Sequence, residues 1–512
     1  MSIFKNPETA LPVHLQNLPP EDRKFYRRLE YIPGALIWST FIFSIVISFV
    51  KPLWVIYFII LFSFYWVLRV FYFIFYVTIA ARKYYQDNRV DWQKKIEEFD
   101  NWKDYYHVVF IPTYNEPFEV IQNTIQSLKN STFPNERMIV VVSWEERARQ
   151  VYDDVQPRIV AEFGSTFLNL FTTLHPDGIE GELKGKGANA NWSGVQSKPM
   201  IDALGIPYEK LIVSYFDSDT VVHPQYFSHV TYKYMTHPNP THASYQPVAL
   251  YSNNIWESPA PMRIVAFSTV FWLLAELMRP DRLYTFSSHS MSYKALVDVG
   301  FWDKQVVTDD SRIFLQCFVH YNGDYEVIPL YVPVSMDAVG GTTIWEGFKN
   351  LYKQQRRWAW GVEHMPYMVY NFHKRKQSMK ATTRLKYIFN ITEGMYSWST
   401  APIVLFVLGR LPLAVAGADI KATVIAQNAP FVLENIMNIG MAGIFVSAIL
   451  SVFLLPPRPA HQPHYKYLIM FLQWALLPIT LIAFGALPAV EAQTRLMLGK
   501  YLGFFVTPKA RK

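Results

Sequence analysis

The sequence predicts an α/β globular domain set between two groups of membrane-spanning helices. Three observations predict it. Long, charge-poor apolar runs gather toward both ends of the 512-residue chain, a polar stretch separates them, and that stretch alternates short β-branched runs with amphipathic ones. Composition agrees: 51% of residues are hydrophobic and only 17% charged, with 37 Phe, 32 Tyr and 15 Trp, which excludes a disordered chain. A net charge of +7 is too small for a protein built on a basic nucleic-acid-binding surface, so no nucleic-acid partner is expected. The single cysteine, Cys317, excludes an intrachain disulfide framework and a cysteine-based zinc site.

The first 33 residues form a basic N-terminal segment. Residues 34–50 carry no charge and residues 52–80 carry one, Arg69, so 34–80 reads as two transmembrane helices turning at Lys51-Pro52. The first run starts late, a second follows at once and no small-residue cleavage pattern precedes Lys51, so it is not a cleaved signal peptide. Arg23, Lys24, Arg27 and Arg28 lie before the first run, and Arg82 and Lys83 follow the second. The positive-inside rule then puts the N-terminus and the globular domain in the cytoplasm of a multi-pass protein, expected in the plasma (inner) membrane. Runs at 398–417, 435–457 and 467–490 predict about three further spans within 385–490. Three spans would leave the basic tail, 491–512, outside, against the same rule. Either one run is a hairpin or interfacial, or another span exists.

The domain at 81–343 shows apolar strands at 107–111, 138–142 and 211–216, with an amphipathic helix at 118–129 between the first two. Strand, helix, strand in that order builds a parallel sheet, whose ligands sit at the carboxyl ends of the strands. Interfacial helices are expected over 344–384.

Chemistry-bearing residues fall at those strand ends. Thr113, Tyr114, Asn115 and Glu116 place hydroxyl, amide and carboxylate groups in succession, able to hold a base and ribose or simply to cap a turn. Asp217 and Asp219, two apart after a strand, can face one cation. Mg2+ or Mn2+ suits such oxygen donors and leaves room for a diphosphate, and with no basic residue adjacent in sequence the two carboxylates would repel without a cation. Residues 184–191 form a glycine-rich loop with Lys184 and Lys186, either a phosphate clamp or a surface loop; the P-loop spacing is absent. Thr308-Asp309-Asp310 offers one carboxylate as a base and a neighbour for the scaffold, and also reads as a helix N-cap. Gln354, Arg357 and Trp358 share a helix face; arginine suits a diphosphate, and indole suits the C–H face of a sugar. A basic aromatic helix resting on lipid headgroups also fits that segment.

These five stretches, in this order between two clusters of spans, resemble the membrane-embedded family 2 glycosyltransferases, which include cellulose, chitin and hyaluronan synthases and ceramide glucosyltransferases. The resemblance covers 108–358 and the flanking spans, and Phe505-Val506-Thr507-Pro508-Lys509 resembles the ending of many bacterial members. It implies an α/β GT-A-like (Rossmann-like) cytoplasmic domain combined with an α-helical transmembrane bundle. It also implies donor contacts from Thr113, Tyr114, Glu116, Lys186, Asp217, Gln354 and Arg357, and metal binding by Asp217 and Asp219. Asp310 would be the general base, Trp358 would meet the acceptor, and Ser288 and His289 lie where the family keeps an acceptor-contacting loop. Two departures stand out. Ser143-Trp144-Glu145-Glu146 replaces the usual acidic strand end, leaving Glu145 as the stand-in for base recognition, and Thr-Asp-Asp replaces Thr-Glu-Asp.

The expected activity is an inverting, metal-dependent sugar transfer from a nucleotide-diphosphate donor, such as a UDP-sugar, to a glycan or lipid hydroxyl. A polysaccharide synthase coupling elongation to translocation is one form; a single transfer to a membrane lipid is the other. A carrier with a soluble domain would need several ionisable residues within the spans, which hold only Arg69 and Arg410. A catalytically dead sugar-nucleotide sensor is a further alternative. A homo-oligomer stays open.

Overall fold

The computed structural model describes residue 15, residues 18–376 and residues 378–507. Residues 1–14 of the N-terminal segment lie outside the described residues, as do Pro508, Lys509, Arg511 and Lys512 of the tail.

Two long helices open the chain, α1 (Pro20–Val50) and α2 (Pro52–Asp87). Each starts at a proline, whose missing N–H costs nothing at a helix's first position, and Lys51 makes the turn between them. Phe49, Trp54, Leu61 and Phe75 are exposed on them, a surface that only lipid suits.

The polar domain is built on an eight-stranded sheet of order β3-β2-β1-β4-β7-β6-β8-β5, in which β5 is the short edge strand Val221–Val222. Its first half is parallel: β1 (Tyr106–Pro112) lies between β2 (Met138–Glu145) and β4 (Leu211–Tyr215), and β3 (Asn169–His175) flanks β2. The expected amphipathic helix is α3 (Phe118–Lys129), which buries Val120, Ile121, Ile125 and Leu128 at helical spacing. Strand β2 runs three residues past the expected 138–142, through Ser143, Trp144 and Glu145, because pairing with β3 continues as far as Glu145 opposite His175. An apolar run marks only the part of a parallel strand that needs no polar partner.

The expected loop at 184–191 is a helix from its third residue, α4 (Lys186–Asp202). Glycines there serve close packing. A Cβ on Gly187 would lie 2.9 Å from the Asp303 carbonyl oxygen, and one on Gly194 would lie 2.4 Å from the Phe301 ring. Beyond β4, the strands β6 (Ala243–Leu250), β7 (His289–Ser292) and β8 (Glu326–Ser335) complete the mixed half, with β7 antiparallel to both β4 and β6. Between β6 and β7 lies α5 (Ala260–Leu277), long and apolar enough to cross a membrane and packed against α2 and β6. The polar domain therefore contains an apolar helix that its Arg263 and Glu276 disguise in the sequence.

After β8 come α6 (Ile344–Ala359), a tight turn (Trp360–Glu363) and α7 (His364–Lys374). Among the described residues six apolar segments are long enough to span a membrane, and four of them pack as a bundle: α1, α2, Ala381–Val415 and α8 (Val424–Phe453). The last, Lys466–Met497, is broken by a 3-10 and a π turn. Both its ends meet the polar domain or the helix α6 that follows it. Just before it, Trp256 Nε1 donates to the Pro456 carbonyl at 3.2 Å and His461 lies 3.4 Å from Glu257. Near its far end Glu491 accepts from Tyr352 Oη at 2.9 Å and pairs with Arg356.

This arrangement predicts four crossings, with the Lys51 turn and the loop at 416–423 together on the far side. On a Cys317→Ala background, single cysteines at Ala460 and Lys500 are expected to react with impermeant thiol reagents from the same side as one at Lys95. A cysteine at Ala418 should react from the opposite side. Labelling of Ala460→Cys and Lys500→Cys from opposite sides would show that the last segment crosses.

Candidate active site

The carboxyl ends of β1 and β2 are tied together before they offer anything to a ligand. Thr113 is buried; its amide and hydroxyl both donate to the Ser143 carbonyl, at 2.7 and 3.0 Å. Asn189 Nδ2 donates to the carbonyls of Thr113 and Ser143, at 3.1 and 3.2 Å. The Tyr114 amide donates to Glu116 Oε2 at 2.7 Å, so the carboxylate closes the turn before α3. Arg147 Nε donates to Glu145 Oε2 at 2.7 Å, and its guanidinium lies 4.5 Å over the Tyr114 ring. Burial pushes the Glu145 carboxyl up in pKa, against the pull of Arg147. Tyr114, Glu116, Glu145 and Arg147 thus share one strand-end pocket; Arg147 went unread because sequence gives no sign that it folds back on Tyr114.

The centre of the site is an ammonium group. Lys186, the first residue of α4, places Nζ 2.7 Å from Asp217 Oδ1 and 2.8 Å from Asp310 Oδ1, and 4.0 Å from the centre of the Tyr215 ring. Burial alone would lower the pKa of this ammonium; the two carboxylates outweigh it and hold it raised. The sequence argument that no cation neighbours the Asp217–Asp219 pair fails in three dimensions, since the start of α4 delivers one. Asp219 is fully buried and its Oδ2 accepts from the Asp337 amide at 2.8 Å.

Thr308 occupies the N-cap position of the helix Asp309–His320, yet its hydroxyl makes no capping bond. Asp309 is buried and accepts from Tyr215 Oη, turned into the scaffold, while Asp310 faces Lys186. Burial, reinforced by the Asp310 charge, raises the Asp309 carboxyl to about 7.

Ser288 and His289 are fully buried, so the acceptor contact expected of them meets no open surface. Ser288 has φ 64° and its hydroxyl bonds Thr220 Oγ1 at 2.8 Å; His289 Nδ1 meets the Phe286 carbonyl at 3.0 Å. Their neighbour Ser287 is the one that reaches the site, donating to Asp217 Oδ2.

On α6, Gln354 is buried and Arg357 lies 4.8 Å over the Phe504 ring. Phe504 also presses on Gly185, where a Cβ would lie 2.6 Å from its ring. Trp358 packs on Tyr251, ring centres 5.6 Å apart. Burial, then the charges of Asp217, Asp310 and Asp219, push the Tyr251 phenol up. Nothing in its sequence context, the end of an apolar strand, marked Tyr251.

Residues 212–487 match the family described as "Glycosyl transferase family group 2", and the chain belongs to that family. It is a family 2 glycosyltransferase that uses a nucleotide-sugar donor, with a GT-A-like domain joined to apolar helices long enough to span a membrane. Among solved structures it is similar to the mannosyltransferase PcManGT of Pyrobaculum calidifontis in complex with GDP-Man and Mn2+. That similarity has 16% identity and a TM-score of 0.40, covering 74% of this chain and 99% of that one. It is also similar to residues 1–349 of S. aureus TarS in complex with UDP-GlcNAc, with 12% identity and a TM-score of 0.33, covering 66% and 91%. No curated protein sequence matches the chain.

A native Asp309 that holds its proton more tightly than the unfolded chain loses stability as pH rises from the ordinary 3.8 toward 7. Asp309→Asn is expected to raise the thermal midpoint more at pH 8 than at pH 5; an equal shift at both would contradict the burial of a titrating carboxyl there.

Proposed function

We infer that the chain is an inverting transferase that moves a sugar from a nucleotide-diphosphate donor to a hydroxyl acceptor at the membrane. We read it as a polysaccharide synthase that passes its product into the helix bundle. The observation that carries this reading is the Lys186 bridge, which joins the Asp217 turn to the Asp310 carboxylate in one place.

Thr113, Tyr114, Glu116 and Glu145 hold the nucleoside, with Arg147 stacked on Tyr114. Asp217 and Asp219 fit Mg2+ or Mn2+ as hard oxygen donors on one turn. Among the described residues no group of three or more His, Cys, Asp or Glu is placed to hold a metal ion, so the donor diphosphate would complete the shell. A bound ion would neutralise charge on the departing diphosphate. Gln354 and Arg357 approach that diphosphate from α6. Trp358, backed by Tyr251, offers a flat apolar face to the acceptor sugar.

Asp310 takes the proton of the acceptor hydroxyl as its oxygen attacks the anomeric carbon from the side opposite the leaving diphosphate; a single displacement inverts the configuration. An arriving diphosphate competes for Lys186 with both carboxylates. Its binding therefore frees Asp310 Oδ1 to meet the acceptor only when a donor is present. Ser288 and His289 support this site from beneath, with Ser287 as its surface.

Support for translocation comes from a polar seam where α1, α2 and Ala381–Ile403 meet. Tyr65 Oη and Ser397 Oγ donate to Glu393 Oε1 at 2.8 and 2.9 Å, Arg69 lies 3.3 Å from the same carboxylate, and Thr40 bonds Tyr396 at 2.9 Å. Sugar hydroxyls can exchange with such groups; lipid tails cannot. Orientation with the catalytic domain in the cytoplasm follows from the positive-inside rule.

Purified protein in liposomes, given labelled nucleotide sugars with Mg2+ or Mn2+, is expected to make a chain of many sugars. Asp310→Asn should lower the rate by about 10²-fold or more. A product bearing one sugar on a lipid would select the single-transfer reading, and unchanged turnover in Asp310→Asn would remove Asp310 from the mechanism.

A further inference from the structure

The turn carrying Asp310 is fastened on both sides by residues the mechanism above leaves unused. A threonine at a helix N-cap ordinarily accepts from a helix amide. Thr308 instead donates to Glu363 Oε1 at 2.8 Å. The other oxygen, Glu363 Oε2, accepts from Trp360 Nε1 at 2.9 Å. The next residue, His364, is buried and places Nε2 2.7 Å from Ser311 Oγ and 3.1 Å from Thr308 Oγ1. Its Nδ1 accepts from Arg312 Nε at 3.3 Å, which assigns the ring proton to Nε2. Arg312 is itself fixed, 3.4 Å from Asp303 Oδ2 and 3.9 Å over the Tyr367 ring.

Residues 308 and 311, one on each side of Asp309-Asp310, are therefore gripped by two consecutive residues. Glu363 ends the turn that continues α6 directly, the helix bearing Gln354, Arg357 and Trp358, and His364 opens α7. A loop hydroxyl that only stabilised its own helix would turn inward to the free amides. This one turns outward, to a carboxylate on another element.

We propose that Glu363 and His364 are positioning residues that hold the Asp310 carboxylate in register with the Gln354–Trp358 face of α6, so that both move as one body. The proposal rests on the reading of Asp310 as the proton acceptor. A base displaced by about 1 Å loses roughly 10²-fold in rate without losing donor affinity. Burial, with Arg312 beside it, holds the His364 pKa well below the ordinary imidazole range, so the ring stays a neutral donor–acceptor link across the working pH.

The test compares Thr308→Val, Thr308→Ser, Glu363→Gln and Asp310→Asn in the full-length protein. Thr308→Val and Glu363→Gln are expected to lower kcat about 10- to 100-fold with donor KM changed less than about twofold, and Thr308→Ser to recover most of the rate. A merely structural role would lower yield or thermal midpoint and leave kcat of the folded fraction intact, which overturns the proposal. If Asp310→Asn is inactive while Thr308→Val and Glu363→Gln turn over normally, the base reading stands and the positioning role falls. If Asp310→Asn is fully active, the base reading falls and takes the proposal with it. Should the wild type turn over none of the nucleotide sugars offered, hydrogen exchange decides. Amides 309–312 exchanging about tenfold faster in Thr308→Val support the grip, and unchanged exchange overturns it.

Discussion

Everything in the site is arranged around one ammonium group. A lysine with so little water around it survives charged only with anions and a ring face to replace that water, and Lys186 has two carboxylates and Tyr215. Tyr215 passes the constraint on, because its hydroxyl is committed to Asp309. The flanking glycines follow from the same crowding: Gly187 lets Asp309 approach from one side, Gly185 lets Phe504 approach from the other. A helix start with no side-chain cap is thereby fixed by its neighbours instead.

Much of this was legible in the amino-acid order, and the physical reason is local. Strands β1 and β4 and helix α3 carry their own periodicity, so their bounds differ from expectation by a residue at most. Residues 184–191 read as a loop because glycine is a poor helix former, while the reason for those glycines lies on Asp303, Asp309 and Phe504, far along the chain. The Asp217–Asp219 motif was visible as two acids, but its cation partner was not, since contact between Lys186 and Asp217 is set by the sheet rather than by spacing. Ser288 was recognised by position alone; a residue pointing into the core and one pointing into a cleft look the same there. Tyr251, Arg147 and Glu363 carry no sequence signal because each acts through a partner on another element.

The membrane part shows the complementary limit. Composition finds apolar segments and says nothing of how they lie. Residues 466–497 are as apolar as any span, yet their ends meet Glu257 and Arg356 on the catalytic side. A segment returning to the face it left would keep the basic tail on the side of the N-terminus, as the positive-inside rule requires.

Glu491 gives this segment a mechanical role. It binds Tyr352 and Arg356 of α6, the helix whose Trp358 packs on Tyr251. The helix that carries Trp358 is thereby tied to an apolar segment as well as to the sheet domain, so a displacement of 487–497 would be passed to α6 through these bonds.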